Sequence, residues 1–133
     1  MRISRFLANS VTAGAVLYLT IEILLHVLRR DYNPACRFLS EYAVGRSAIL
    51  GTVAFCLLAV TTLALGISLL IEVQRSGLLV TVCFLLFVGG FGFFALALFP
   101  TDLSAPQGGP PPIRTSIGVV HDTCTGILSV RSR

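Results

Sequence analysis

The sequence predicts an all-α integral membrane protein, a helical bundle of three full transmembrane helices plus an incomplete fourth. Two observations carry that fold class. Of the 133 residues, 55% are hydrophobic and only 12% are charged, where an ordinary soluble domain carries about a quarter charged residues. Apolar runs then cover residues 8–28, 47–73 and 78–99, each near or above the roughly 20 residues that a helix needs to cross about 30 Å of hydrocarbon. The chain reads as a single transmembrane domain, residues 1–133.

The first span opens on "MRISRFLANSVTAGAVLYL", in which basic residues precede an apolar run containing Ala13, Gly14 and Ala15. A secretory leader has a similar start, but its apolar region is roughly 7 to 15 residues and ends at the small-residue site. Here the run continues to Leu28, which predicts an uncleaved first helix. The following loop contains Asn33-Pro34, a pair that favours a turn and steers the residue before proline away from helix.

Spans two and three are separated by "QRSG", Gln74 to Gly77. So short a connection predicts an antiparallel hairpin whose far ends lie on one side of the membrane. Span three carries Gly89, Gly90 and Gly92 among phenylalanines, small residues that let helix backbones approach in lipid. No GxGxxG follows a strand, so no dinucleotide site is expected. The third loop, "PTDLSAPQGGPPPIRTS", holds five of the six prolines and reads as an extended spacer. A fourth apolar stretch, residues 116–130, reaches only about 22 Å as a helix. The expectation is a chain whose fourth helix is cut short, in preference to a segment lying in the interface or re-entering from one side.

The net charge of +4 comes with ten arginines and no lysine. They sit in loops and tails rather than in a stripe, which fits flanks of membrane spans and gives no nucleic-acid surface. The expected partner is the lipid bilayer. Arginines nearly balance across the two sides, so orientation is left open. Cys36, Cys56, Cys83 and Cys124 form no CxxC pair; a structural zinc or redox motif needs closer spacing, and cysteines within spans read as small apolar residues.

The hairpin gathers polar residues at one membrane face. Glu22 and His26 lie four apart near the end of span one, on one helical face; Ser40, Glu41 and Tyr42 precede span two; Asp102 follows span three; His121 and Asp122 open the fourth segment. Ionisable residues in or beside spans are costly in hydrocarbon and are functional candidates. Three chemistries can use them. In a hydrolase, Ser40 is the nucleophile, His121 the base and Asp102 the orienting acid, although no GxSxG elbow is present. Alternatively, His26, His121, Asp102 and Glu22 or Glu41 hold zinc or another divalent ion, although no HExxH spacing is present. In the third, the same carboxylates and imidazoles, Glu41, Glu22 and His26 with Asp102 and His121, contribute to a proton or ion path or to a pocket for a lipid headgroup or small molecule. Each of these residues also has a structural reading, as a cap or an ion pair. Metal and cofactor identity are unknown at this level, as is the oligomeric state.

"LSEYAVGR" before span two, "FPTD" after span three and "GVVHD" at the next helix, in that order, resemble the DUF 998 family. These are multipass membrane proteins of prokaryotes and some eukaryotes whose function is not established. The resemblance covers about Phe38 to Asp122 and implies about six spans in a typical member, hence missing helices here; the tail "HDTCTGILSVRSR" departs from the pattern. It implies that Ser40, Glu41, Asp102 and His121 are recurrent polar positions and supplies no substrate. More distantly, the same positions resemble integral-membrane hydrolases built around zinc, though their paired histidine motif is not found in this chain. The expected function is a multi-pass protein of the cell membrane, in a prokaryotic plasma membrane, with a ligand or hydrolase-like site at one face. The alternative is a non-enzymatic transport or assembly protein in which the same residues are structural.

Overall fold

A computed structural model describes residues 2–29, 39–74, 76–103 and 113–128. The Asn33-Pro34 turn, Cys36 and most of the proline-rich loop lie outside the described residues. Four α-helices are present: α1 (Arg2–Leu28), α2 (Ala48–Glu72), α3 (Gly77–Leu98) and α4 (Ser116–Leu128). Among the described residues there is no strand. Three segments are long and apolar enough to cross a membrane, Arg5–Leu28, Gly45–Glu72 and Gly77–Leu98, close to the three predicted runs. This is a membrane protein. The fourth helix has 13 residues, about 20 Å at 1.5 Å per residue.

The short connection makes the expected hairpin. The Val73 N–H closes α2 on the Leu69 carbonyl at 3.0 Å, and Ser76 caps α3, its hydroxyl oxygen accepting from the Leu79 N–H at 3.2 Å. That bond satisfies one of the N–H groups a helix start leaves without an internal partner. Helix α2 packs along both α1 and α3, and α4 packs on α3. The approaches use small residues: Gly66 of α2 faces Leu86 and Phe87, and Gly90 of α3 faces Leu63 and the Ala59 carbonyl. Buried Cys83 donates to the Gly66 carbonyl at 3.6 Å, which makes it an ordinary packing residue of the α2–α3 seam. Gly89 meets nothing within 4 Å, so the glycine cluster divides into a packing position and one that faces away from the chain. Large apolar residues such as Val16, Ile23, Leu85 and Phe91 are exposed on the outer surfaces, as spans bathed in lipid require.

The stretch between α1 and α2 does not simply lead into span two. Residues Leu39–Ala43 form a 3₁₀ turn with Glu41, Tyr42 and Ala43 all buried, and Gly45–Ser47 form a second. Between them Gly45 has φ of 81°, a left-handed conformation open to glycine and strained for other residues. The first turn lies on the start of α2, where a Cβ at Gly51 would sit 2.6 Å from both N and Cα of Ala43. It is wedged into the bundle end. Tyr42 packs in a cluster with Ile21, Leu25 and Ala54, and Ala43 packs with Phe55, Leu96 and Ala97, against which Cys124 also rests.

Candidate functional site

That wedge gathers α1, α2, the end of α3 and α4 around one end of the bundle, the face at which the polar residues were expected. Each has a different fate there. Glu41 has 0% and His121 2% of its surface exposed. Glu41 is carried in by the 3₁₀ turn, whose neighbours Tyr42 and Ala43 anchor it on both sides in the two apolar clusters. His121 is carried by α4, where Cys124, nearly one turn on, rests on the second of those clusters.

His121 is held in one tautomer. Its Nδ1 lies 2.6 Å from the Phe99 carbonyl oxygen, and a carbonyl oxygen only accepts, so Nδ1 carries the hydrogen and donates it. The lone pair of the neutral ring is then on Nε2, which is buried. A histidine oriented in this way through one nitrogen has its acceptor lone pair on the other.

Asp102 has another task. Its two carboxylate oxygens accept from Thr115, from the backbone N–H at 2.8 Å and from the hydroxyl at 2.7 Å. The same Thr115 hydroxyl oxygen accepts from the Gly118 N–H at 3.0 Å, and the Thr115 carbonyl accepts from Val119 at 3.0 Å, so Thr115 is the N-cap of α4. Asp102 thus fastens the start of α4 to the end of α3. Gly118 makes room for it, since a Cβ there would collide with the Asp102 carboxylate. The Thr115 backbone and hydroxyl donors hold the Asp102 carboxyl below its ordinary range, and the nearby Arg114 and His121 add to that shift.

Ser40 is half-buried on the first 3₁₀ turn, and among the described residues no hydrogen bond joins it to His121 or Asp102. It does not cap α2 either: Ser47 is at that N-cap, with no side-chain capping bond. Ser47 is instead buried, donating to the Tyr42 carbonyl at 3.2 Å and accepting from Arg29 at 3.1 Å. The Arg29 guanidinium also donates to the Val44 carbonyl at 3.2 Å, tying the end of α1 to the second 3₁₀ turn and to the residue that links it to the first. Glu22 and His26 sit together on α1, but the His26 Nδ1–H donates to the Glu22 carbonyl at 2.7 Å rather than to its carboxylate. The His26 ring lies 5.0 Å from that of Tyr42. Arg114 and Asp122 form an exposed pair at 4.0 Å, of the kind that contributes little. Among the described residues no three His, Cys, Asp or Glu side chains converge to hold a metal.

Thr115 and Arg29 are the residues that sequence reasoning passed over. Thr115 stands directly before an apolar helical run, which is an N-cap signal; its link to Asp102 has no such local mark. Arg29 looks like any other flanking arginine.

A family model described as "Protein of unknown function (DUF998)" matches residues 12–130. The chain belongs to that family. Neither a curated protein nor a solved structure matches it.

Proposed function

We propose that this DUF998 member is a multi-pass protein of the cell membrane, in a prokaryotic plasma membrane, that holds a lipid headgroup or small polar molecule at one membrane face. Glu41 and His121 are its recognition groups. The observation that supports this is the burial of both ionisable side chains, 0% and 2% exposed, at the end of the bundle where the 3₁₀ turn, α3 and α4 meet. Taking ionisable groups out of water costs stability, and an ionisable group placed at membrane depth marks a site by default. Arginines at the span ends suit a protein whose surroundings are lipid and not nucleic acid.

A catalytic version needs Ser40 as nucleophile, His121 as base and Asp102 as orienting acid. The tautomer of His121 suits a base, but the atom that orients its Nδ1 is the Phe99 carbonyl oxygen. Asp102 has both oxygens on Thr115, which favours a structural role for that residue and is the observation behind the second reading, a non-enzymatic transport or assembly protein. Binding by Glu41 and His121 is compatible with Asp102 serving as scaffold.

The experiment compares wild type with Glu41→Gln and His121→Asn, each purified in detergent after incubation with total polar lipid of the expression host. Retained small molecules are identified by mass spectrometry, with helicity checked by circular dichroism. A headgroup-bearing species held by wild type and depleted in both folded variants is the expected result. Equal retention in all three would refute the binding reading. In parallel, labelling by a fluorophosphonate that disappears in Ser40→Ala would transfer the conclusion to the hydrolase.

A further inference from the structure

A second polar group lies inside the first span, apart from Glu41 and His121. Glu22 is six residues before the end of α1, roughly 9 Å in from that end at 1.5 Å per residue. Its Oε2 is closed off from solvent and has no hydrogen-bond partner among the described residues. The groups acting on the carboxyl are the Tyr18 phenol one turn before it and the His26 ring one turn after it, with no arginine among them. In the apolar cluster on the same stretch of α1, α2 supplies Leu50, Ala54 and Leu57, and the 3₁₀ turn supplies Tyr42.

We propose that Glu22 is a proton-binding site within the membrane, exchanging its proton with His26 at the membrane edge. A carboxylate whose Oε2 is bare in such a place is poorly stabilised as an anion even with the Tyr18 phenol beside it, and a single proton removes the charge. A metal cation would need several oxygen ligands, and among the described residues no three acidic, histidine or cysteine side chains converge.

His26 is suited to the other half of the exchange. Its Nδ1–H is committed to the Glu22 carbonyl, so the proton-accepting atom is Nε2, and the residue is exposed. Residues four apart stack on one helix face. The transfer turns the carboxylic acid and neutral imidazole into carboxylate and imidazolium, directly or through a water molecule. The pair has zero net charge before and after, so the proton moves without leaving a lone charge in the hydrocarbon. Release from Nε2 to water leaves the Glu22 carboxylate with one negative charge, which is cancelled when a proton returns by the same route.

Dicyclohexylcarbodiimide is a suitable probe, because it is apolar and adds to protonated carboxyl groups. In lipid nanodiscs, peptide mass spectrometry is expected to find Glu22 modified, with the extent falling as pH rises, while exposed Glu72 at the end of α2 stays unmodified at neutral pH. In His26→Gln, labelling should persist to higher pH, since the ring that accepts the Glu22 proton is gone. Infrared spectra provide a second reading that needs no access for a reagent: a protonated-carboxyl band present in wild type should be absent in Glu22→Gln. Identical bands in the two folded proteins, or Glu22 labelling that matches Glu72 at every pH, would overturn the proposal.

Discussion

Replacing Gly51 by alanine tests how closely the 3₁₀ wedge is built against α2. The new Cβ would stand 2.6 Å from N and Cα of Ala43 and 2.8 Å from the Tyr42 carbonyl carbon. All three are backbone atoms, so no rotamer change relieves the contact. Non-bonded carbons are at ease at about 3.5–4.0 Å, so the wedge must retreat by roughly 0.9 Å or more. Retreat of the Tyr42–Ala43 backbone disturbs two apolar clusters at once. An overpacked contact of this kind costs about 1–3 kcal/mol, a large share of marginal stability. The assay is reversible unfolding in mixed detergent micelles followed by circular dichroism, with Gly89→Ala as the control. Gly89 meets nothing within 4 Å, so alanine there should be neutral or stabilise by up to about 1 kcal/mol through helix propensity. If both variants match wild type, the wedge does not lie on α2 as described.

The Asp102 clamp makes a local prediction. Asp102→Asn should speed hydrogen exchange at the Gly118 and Val119 amides, both held by Thr115, and leave the α2–α3 seam unchanged; uniform acceleration across all helices would contradict a local clamp. Its pH dependence follows from a folded-state value that lies below the ordinary 3.8. The clamp's contribution is complete above that ordinary value and is lost as pH falls through the lower folded value, so α4 protection should be flat at neutral pH and decline only in strong acid. Ser76→Ala removes the acceptor for the Leu79 N–H and should cost about 1 kcal/mol, whereas Ser76→Gly should cost a few tenths; equal stability of all three proteins would show that the cap contributes nothing.

Hydropathy and length alone determined that the chain enters a membrane, where its three spans lie and how the second and third pair, because the backbone in lipid must satisfy itself within helices and a four-residue link permits only an antiparallel return. Topology then directed Glu41, Asp102 and His121 to one end. Only the tertiary structure decided what each touches there. Asp102 reads in sequence as a catalytic acid, yet hydrogen bonds from Thr115, 13 residues away, make it the fastening of α4. Glu41 reads in sequence as a candidate binding residue just before span two, and it is fully buried because Tyr42 and Ala43 beside it are drawn into apolar clusters made by distant helices. Ser40, on the same turn, is left outside the hydrogen bonds of Asp102. Such assignments depend on which groups a folded bundle brings within about 3 Å, a distance that hydrophobic periodicity, acting along one helix at a time, does not encode.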